Sequence, residues 1–257
     1  MTAERTATAM ILAAGLGTRL KPLTDTMPKA LVPYEGVPMI QRLMLQLKKA
    51  GFTRAVINVH HFGDMIEEFV RSHDGFGIDV AFSDERDLLR DTGGGIRHAV
   101  MSGLLGEEPV LVHNVDIIAS GIDLRTFCRQ ALGGPDDTQA SASLLVSSRT
   151  SSRYLLTDSD GLLRGWVHPA KGLLKGTGPA AAVPAEYTAP LPSSLIPRAF
   201  SGIHILTPTA LQLLRPWPET FSIIDFYLTV AASHTVRCMD APAGAVITDI
   251  GKPAQLR

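Results

Sequence analysis

Met10-Ile11-Leu12-Ala13-Ala14-Gly15-Leu16-Gly17-Thr18-Arg19-Leu20-Lys21-Pro22-Leu23, with Pro28-Lys29 close behind, is the stretch that decides how this chain folds. The apolar run from Met10 to Ala14 has the character of a strand covered on both faces. It runs into a turn holding Gly15, Gly17 and Thr18, and Arg19 and Lys21 follow at once. Glycine lets a backbone approach a phosphate closely and turn its N–H groups inward. Arginine and lysine supply the charge that a polyphosphate needs. The combination points to a nucleoside triphosphate.

Two commoner glycine loops do not fit. A Walker loop needs Gly-Lys-Ser/Thr after its glycines, and none follows Gly15. A dinucleotide loop needs a third glycine where this chain has Leu20, and a cation stands where its helix should begin. A nicotinamide-dependent oxidoreductase is therefore disfavoured.

Outward from this loop, strand-like and helix-like runs alternate. Thr8–Ala14 reads as a strand. Met39, Ile40, Leu43, Met44 and Leu47 form a stripe at helical spacing, which Gly51 closes. Strands are expected at Ala55–Val59, Ile78–Phe82 and Pro109–Val115, with helices at Asp64–Ser72, Gly94–Leu105 and Asp123–Leu132. This β-α order implies a doubly wound, mostly parallel α/β sheet. After residue 134 the pattern changes. Strands are expected at Ala140–Ser147, Arg153–Leu156, Leu162–Val167, Phe200–Leu206, Thr235–Cys238 and Gly244–Asp249, and helices at Pro208–Leu214 and Ile223–Ala232. Ala170–Pro197, rich in Gly, Ala and Pro, reads as a lid over an acceptor site or as a surface excursion.

Composition bounds the partners. The 257 residues carry a net charge of −1, and the basic residues form no run, so neither nucleic acid nor a membrane surface is an expected partner. No stretch is long and apolar enough to span a bilayer, and residues 1–8 lack the apolar core of a signal peptide. Cys128 and Cys238 cannot make a disulfide framework. The expectation is a single cytoplasmic domain over 1–257, with a nucleotide-binding half at 8–133 and a sugar-binding half at 134–257. The sequence leaves an oligomer possible.

The segment Leu-x-Ala-Gly-x-Gly-Thr-Arg-Leu-x-Pro-Leu-Thr, then Pro-Lys-x-Leu-x-Pro, resembles the signature of the sugar-1-phosphate nucleotidyltransferases. The resemblance implies a Rossmann-like, GT-A-like fold that joins a nucleoside triphosphate to a sugar 1-phosphate, giving an NDP-sugar and pyrophosphate. It places Ala13, Ala14, Gly15, Gly17, Thr18 and Arg19 at the nucleotide and Lys29 at the reacting phosphates, with Arg19 and Lys29 as the catalytic cations. The chain ends without the hexapeptide repeats that build a β-helix tail in some relatives.

His113-Asn114-Val115-Asp116 closes a strand, where an open α/β sheet binds ligands, and a carboxylate there suits Mg²⁺. The family usually has Gly-Asp at this point, whereas Val115 precedes Asp116 here. Thr248-Asp249-Ile250-Gly251-Lys252-Pro253 resembles the family's Asp-x-Gly-Thr-Pro, which implies that Asp249 is the second metal carboxylate; Lys252 replaces the threonine. Thr92-Gly93-Gly94-Gly95 is similar to the form in N-acetylmuramate-1-phosphate uridylyltransferases and implies a backbone that reads the base, although a glycine run also suits a hinge. Thr92, Gly93 and Gly94 are the candidates there. On the sugar side stand Asn114, Gly202 of Ser201-Gly202-Ile203, and Asp225, which equally suits a helix dipole. The Glu-Lys pair that many relatives use for the sugar phosphate is missing around Trp166–Lys175, which holds only Lys171 and Lys175. His60 and His61 are adjacent in a strand and point to opposite faces, so they cannot easily share a metal. UTP with a hexose or N-acetylmuramate 1-phosphate is the first reading. GTP with mannose 1-phosphate, dTTP with glucose 1-phosphate, and a silent NDP-sugar-binding regulatory subunit are the alternatives.

Overall fold

The computed structural model describes residues 7–133, 140–177, 185–186 and 191–256. Its first half runs β1 (Thr8–Leu12), β2 (Pro33–Tyr34), β3 (Val37–Pro38), α1 (Met39–Ala50), β4 (Arg54–Val59), α2 (Gly63–Ser72), β5 (Asp79–Asp84), α3 (Asp91–Met101), β6 (Val110–Asn114), β7 (Ile117–Ser120) and α4 (Leu124–Leu132). The second half runs β8 (Ala142–Ser147), β9 (Tyr154–Thr157), β10 (Leu163–His168), β11 (Leu173–Lys175), β12 (Ala185–Glu186), β13 (Ile196–Leu206), α5 (Pro208–Leu214), α6 (Ile223–Val230), β14 (Val236–Asp240) and β15 (Val246–Asp249).

The order β5-β4-β1-β6 forms a parallel block at the heart of the sheet. Its strands are apolar at successive positions because helices cover both faces. On one face, α1, α2 and α4 bring Ile40, Leu43, Leu47, Ile66, Val70 and Phe127 onto Ile11, Ile57 and Leu111. On the other, α3, α5 and α6 bring Ile96, Val100, Leu211 and Phe226 onto Met10, Val56 and Val112. Gly51, at φ +90°, ends α1 as expected. The winding reverses between β1 and β6, where a doubly wound sheet opens its ligand crevice.

The second half is joined to this block by antiparallel pairing. The eleven-residue β13 lies against β6, β8 and β9 in turn, with a register shift between Phe200 and His204. Thr207 caps α5 by accepting from Ala210 N.

One expectation changes, and one pairing is new. The stretch 170–197 is not one loop, because β11 pairs with β10, and β12 with β11, extending the sheet; residues 178–184 and 187–190 lie outside the described residues. The last strand does not join the main sheet either. β15 pairs with β7, which the sequence did not reveal, in a separate two-stranded sheet that sets Asp249 opposite Ile117.

Candidate active site

The parallel block ends in register, with Leu12 opposite both Asn58 and Asn114, and Asn58 opposite Ser83. The loops that leave these strand ends enclose a cavity of about 580 Å³. Ala13 to Leu20 line one wall, and Lys29, Asn114, Val115 and Asp116 line the floor at one end. Asn58, Glu85, Leu89, Asp91 and Thr92 lie at the other end.

The first glycine loop is built for its shape. Gly17 is left-handed at φ +63°, and a Cβ on it would lie 2.8 Å from Thr24 Cγ2 and 3.0 Å from Lys29 Cβ. Thr24 Oγ1 donates to the Gly17 carbonyl at 2.9 Å, which holds the turn closed. Gly15 has open space where a Cβ would be. Thr18 and Arg19 begin a short 3-10 turn, and the exposed Arg19 guanidinium lies flat over Gly251, so that a Cβ there would be 3.0 Å from its Cζ. This contact brings the first loop to the segment that follows Asp249.

Lys29 is 8% exposed, and its ammonium is paired with the Asp116 carboxylate. Ile250 N donates to the Asp116 carbonyl at 2.9 Å, so the β7–β15 pairing brings Asp249 close to Asp116, although Asp249 is not among the cavity-lining residues. Asp249 Oδ1 is buried and has no hydrogen-bond partner among the described residues. Burial pushes the Asp249 pKa up, with the Asp116 charge adding to it; Lys29, Arg19 and Arg149 pull the other way. Two carboxylates and three cations therefore share one electrostatic neighbourhood.

A model of the family described as nucleotidyl transferase matches residues 8–156, the part of the chain that holds the first loop, Lys29 and Asp116. The chain belongs to this family. An N-acetylmuramate alpha-1-phosphate uridylyltransferase from Caulobacter vibrioides is 34% identical over 240 residues, which cover 92% of this chain and 88% of that relative. The protein of the same name from Neisseria meningitidis serogroup B is 41% identical over 132 residues, 51% of this chain and 56% of its own. Among solved structures, HddC from Yersinia pseudotuberculosis, complexed with GMP-PN, superposes with a TM-score of 0.70 at 22% identity, covering 97% of this chain and 96% of its own. That likeness shows the Rossmann-like, GT-A-type fold.

Against the nucleotidyl transferase pattern, Val115 causes no protrusion. Its side chain is 4% exposed in the apolar cluster beneath α1 and α4, and its N–H is spent on the Leu12 carbonyl at 3.1 Å. Lys252 opens the last turn, where Gln255 Oε1 accepts from Gly251 N and Lys252 N at 2.9 and 2.8 Å.

Other candidates are placed differently from the sequence reading. Ala13 and Ala14 line the cavity, but both N–H groups donate to Asn58 Oδ1. Thr92 also lines it, and its Oγ1 accepts from Ile223 N at 3.1 Å, pinning α6 to α3. Gly93 and Gly94 do not form a loop. They lie buried in the first turn of α3, and their N–H groups donate to the Phe221 carbonyl at 3.0 and 3.3 Å. Gly202, at φ +78°, makes room for the Asn114 amide, whose Nδ2 would be 2.8 Å from a Cβ. Asp225 is bonded to Lys175 at 2.5 Å, with the ammonium 5.6 Å from the Trp166 ring centroid, and is not among the cavity-lining residues.

The contacts of Asn58 with the first loop and of Gly251 with Arg19 come from the structure. Asn58 had a sequence signal, as the one polar residue inside the apolar run Val56-Ile57-Asn58-Val59.

Proposed function

We propose that this chain transfers a uridylyl group from UTP to a sugar 1-phosphate, with N-acetylmuramate α-1-phosphate as the preferred acceptor, and releases pyrophosphate. The observation that carries this reading is the convergence of Arg19, Lys29 and Asp116 on a cavity walled by the Gly15–Gly17 loop, with Asp249 buried behind the lining and within electrostatic reach of all three. The acceptor follows from the relative that aligns over 92% of the chain.

An acceptor phosphate oxygen would attack the α-phosphorus, forming one P–O bond as the bond to pyrophosphate breaks. The attacking oxygen is already an anion, so no side-chain nucleophile or base is needed. Catalysis then rests on positioning and on charge. Lys29 is held at the floor by Asp116, and its ammonium carries further N–H donors for the α-phosphate. Arg19, whose guanidinium lies against Gly251, would hold the departing pyrophosphate.

Asp116 and the unpartnered Oδ1 of Asp249 fit a Mg²⁺ ion, which takes one or two protein carboxylates and completes its shell with substrate phosphates and water. Bound there, Mg²⁺ would supply charge neutralisation to the reacting phosphates. Cys128 and Cys238 are both free, in keeping with a cytoplasmic setting, and the product belongs with cell-wall or polysaccharide precursors.

The test is pyrophosphate release with Mg²⁺, crossing UTP, GTP, dTTP and CTP against N-acetylmuramate, glucose and mannose 1-phosphates. Turnover with UTP and N-acetylmuramate 1-phosphate is expected. Turnover only with GTP and mannose 1-phosphate would replace the proposed substrates, and binding of NDP-sugar with no turnover would favour a regulatory role.

A further inference from the structure

Of the cations that follow the first glycine turn, Lys21 is paired with Asp25 and Lys29 with Asp116. Arg19 lines the cavity and has no ion pair among the described residues. A bare stretch of backbone holds it instead. A Cβ on Gly251 would lie 3.0 Å from Cζ, Nη1 and Nη2 of Arg19 at once. Equal distances to three atoms of one planar group mean that the missing side chain points at the face of the guanidinium and not at its edge. The N–H donors lie in that plane, so a contact through the face spends none of them.

Both partners are anchored from behind. Leu20, next to Arg19, and Ile250, next to Gly251, are fully buried in one small apolar cluster with Val32 and Met39. Gln255 Oε1 accepts from Gly251 N at 2.9 Å and from Lys252 N at 2.8 Å, and Leu256 packs on the same cluster. Gly251 is not among the glycines at positive φ, so its backbone does not call for glycine. The space above it does, because the guanidinium occupies it.

We propose that Gly251 is a positioning residue for Arg19: its bare Cα is the platform on which the guanidinium lies by its face, with the N–H edges left for the β- and γ-phosphates of the bound nucleotide. The inference rests on reading the cavity as a nucleoside triphosphate site. A flexible side chain oriented before the ligand arrives costs less to order on binding. The turn after Asp249 thereby sets the grip of the first loop on the leaving group. A lysine at position 19 would not use the platform, since an ammonium is a point charge with no face to lay down.

Calorimetric binding of UTP and UMP to the full chain, to Gly251→Ala, to Arg19→Lys and to the double variant tests this. UMP lacks the phosphates assigned to Arg19. The added methyl makes the guanidinium give by some tenths of an ångström, which should weaken UTP about fivefold and UMP less than about twofold. In the Arg19→Lys chain the same alanine should change UTP affinity less than about twofold. A purely structural role would weaken both nucleotides together, or UTP alike in the two backgrounds, and either result overturns the proposal. Gln255→Ala adds no atom near Arg19 but frees the Gly251 turn, and it keeps the test open should Gly251→Ala not fold. It should produce the same loss confined to UTP and abolished by Arg19→Lys, and an equal loss of UMP would overturn the proposal. Tight UTP binding indifferent to both variants would overturn the inference and leave the nucleotide site standing. A wild-type chain that binds UTP no more tightly than UMP would overturn both readings.

Discussion

Gly15 and Gly17 in the first loop and Gly93, Gly94 and Gly95 in α3 are the same residue type put to opposite uses. Around Gly15 nothing lies within 4 Å of a Cβ position, and Gly17 bends the chain at φ +63°. In α3 a Cβ would run into Phe221, the Glu219 backbone or Glu85. Gly15 keeps space open at a cavity wall while Gly17 supplies the left-handed bend, and the second run lets 219–221 and Glu85 press against a helix. A glycine in a sequence reports a missing side chain, and only the neighbours show what fills the space.

The largest effect expected tests the first region. Lys29→Ala should lower kcat by roughly two to three decades in the pyrophosphate-release assay, the scale of one lost stabilising contact in a dry site. Asp116 would lose its only ion-pair partner among the described residues, so unfolding should be followed in parallel. A loss under about threefold would remove Lys29 from the chemistry.

Gly94→Ala tests the second region. The obstacle is the carbonyl oxygen of Glu219, which is backbone and cannot swing aside as a side-chain tip can. Overpacking should cost roughly 1–3 kcal/mol in urea unfolding. Wild-type stability would mean that the helix and the 219–221 segment separate easily, and the contrast between the two runs would collapse.

These differences also show what the sequence made legible. The β1 loop could be read because its chemistry is local: apolar strand, glycine turn and cations stand within a dozen residues. The helix stripe at 39–47 and its closure at Gly51 are local as well. The β7–β15 pair was not legible, because it joins residues more than 120 positions apart and leaves no periodicity of its own. The helical setting of 93–95, read from the sequence as a loop, was hidden for the same reason. Phe221, which decides its geometry, lies far along the chain and carries no sign of its partner. Asp116 and Asp249 could be paired only by family resemblance, and the β7–β15 register supplies the physical connection.

The acid seated against Gly95 gives a smaller, pH-dependent contrast. Burial raises the Glu85 pKa above its ordinary 4.5, with Asn58, Arg90 and His60 opposing. The native state therefore keeps the proton to higher pH than the unfolded chain does. Stability from this group is complete below the unfolded value and is lost as pH rises through the folded one. Glu85→Gln removes that loss. Its thermal midpoint should rise relative to wild type as pH climbs from 4.5 to neutrality, and a constant gap across that range would show that the carboxyl is not the source.

Gly15→Ala should be the quietest change for the fold and a visible one for the ligand. Its Cβ meets nothing, and Gly15 is not among the residues at positive φ, so folding stability should stay within about 0.5 kcal/mol of wild type. The same methyl stands on the wall where a triphosphate would press against the backbone, and KM for the nucleotide should rise while stability does not move. That separation is the inverse of Gly94→Ala, in which stability falls because the missing Cβ belongs to packing. If Gly15→Ala lowers stability as much as Gly94→Ala does, both glycine runs are structural and the open loop is no cradle. If neither KM nor stability changes, the triphosphate lies elsewhere along the cavity wall, and Gly17 with Arg19 must hold it without Gly15.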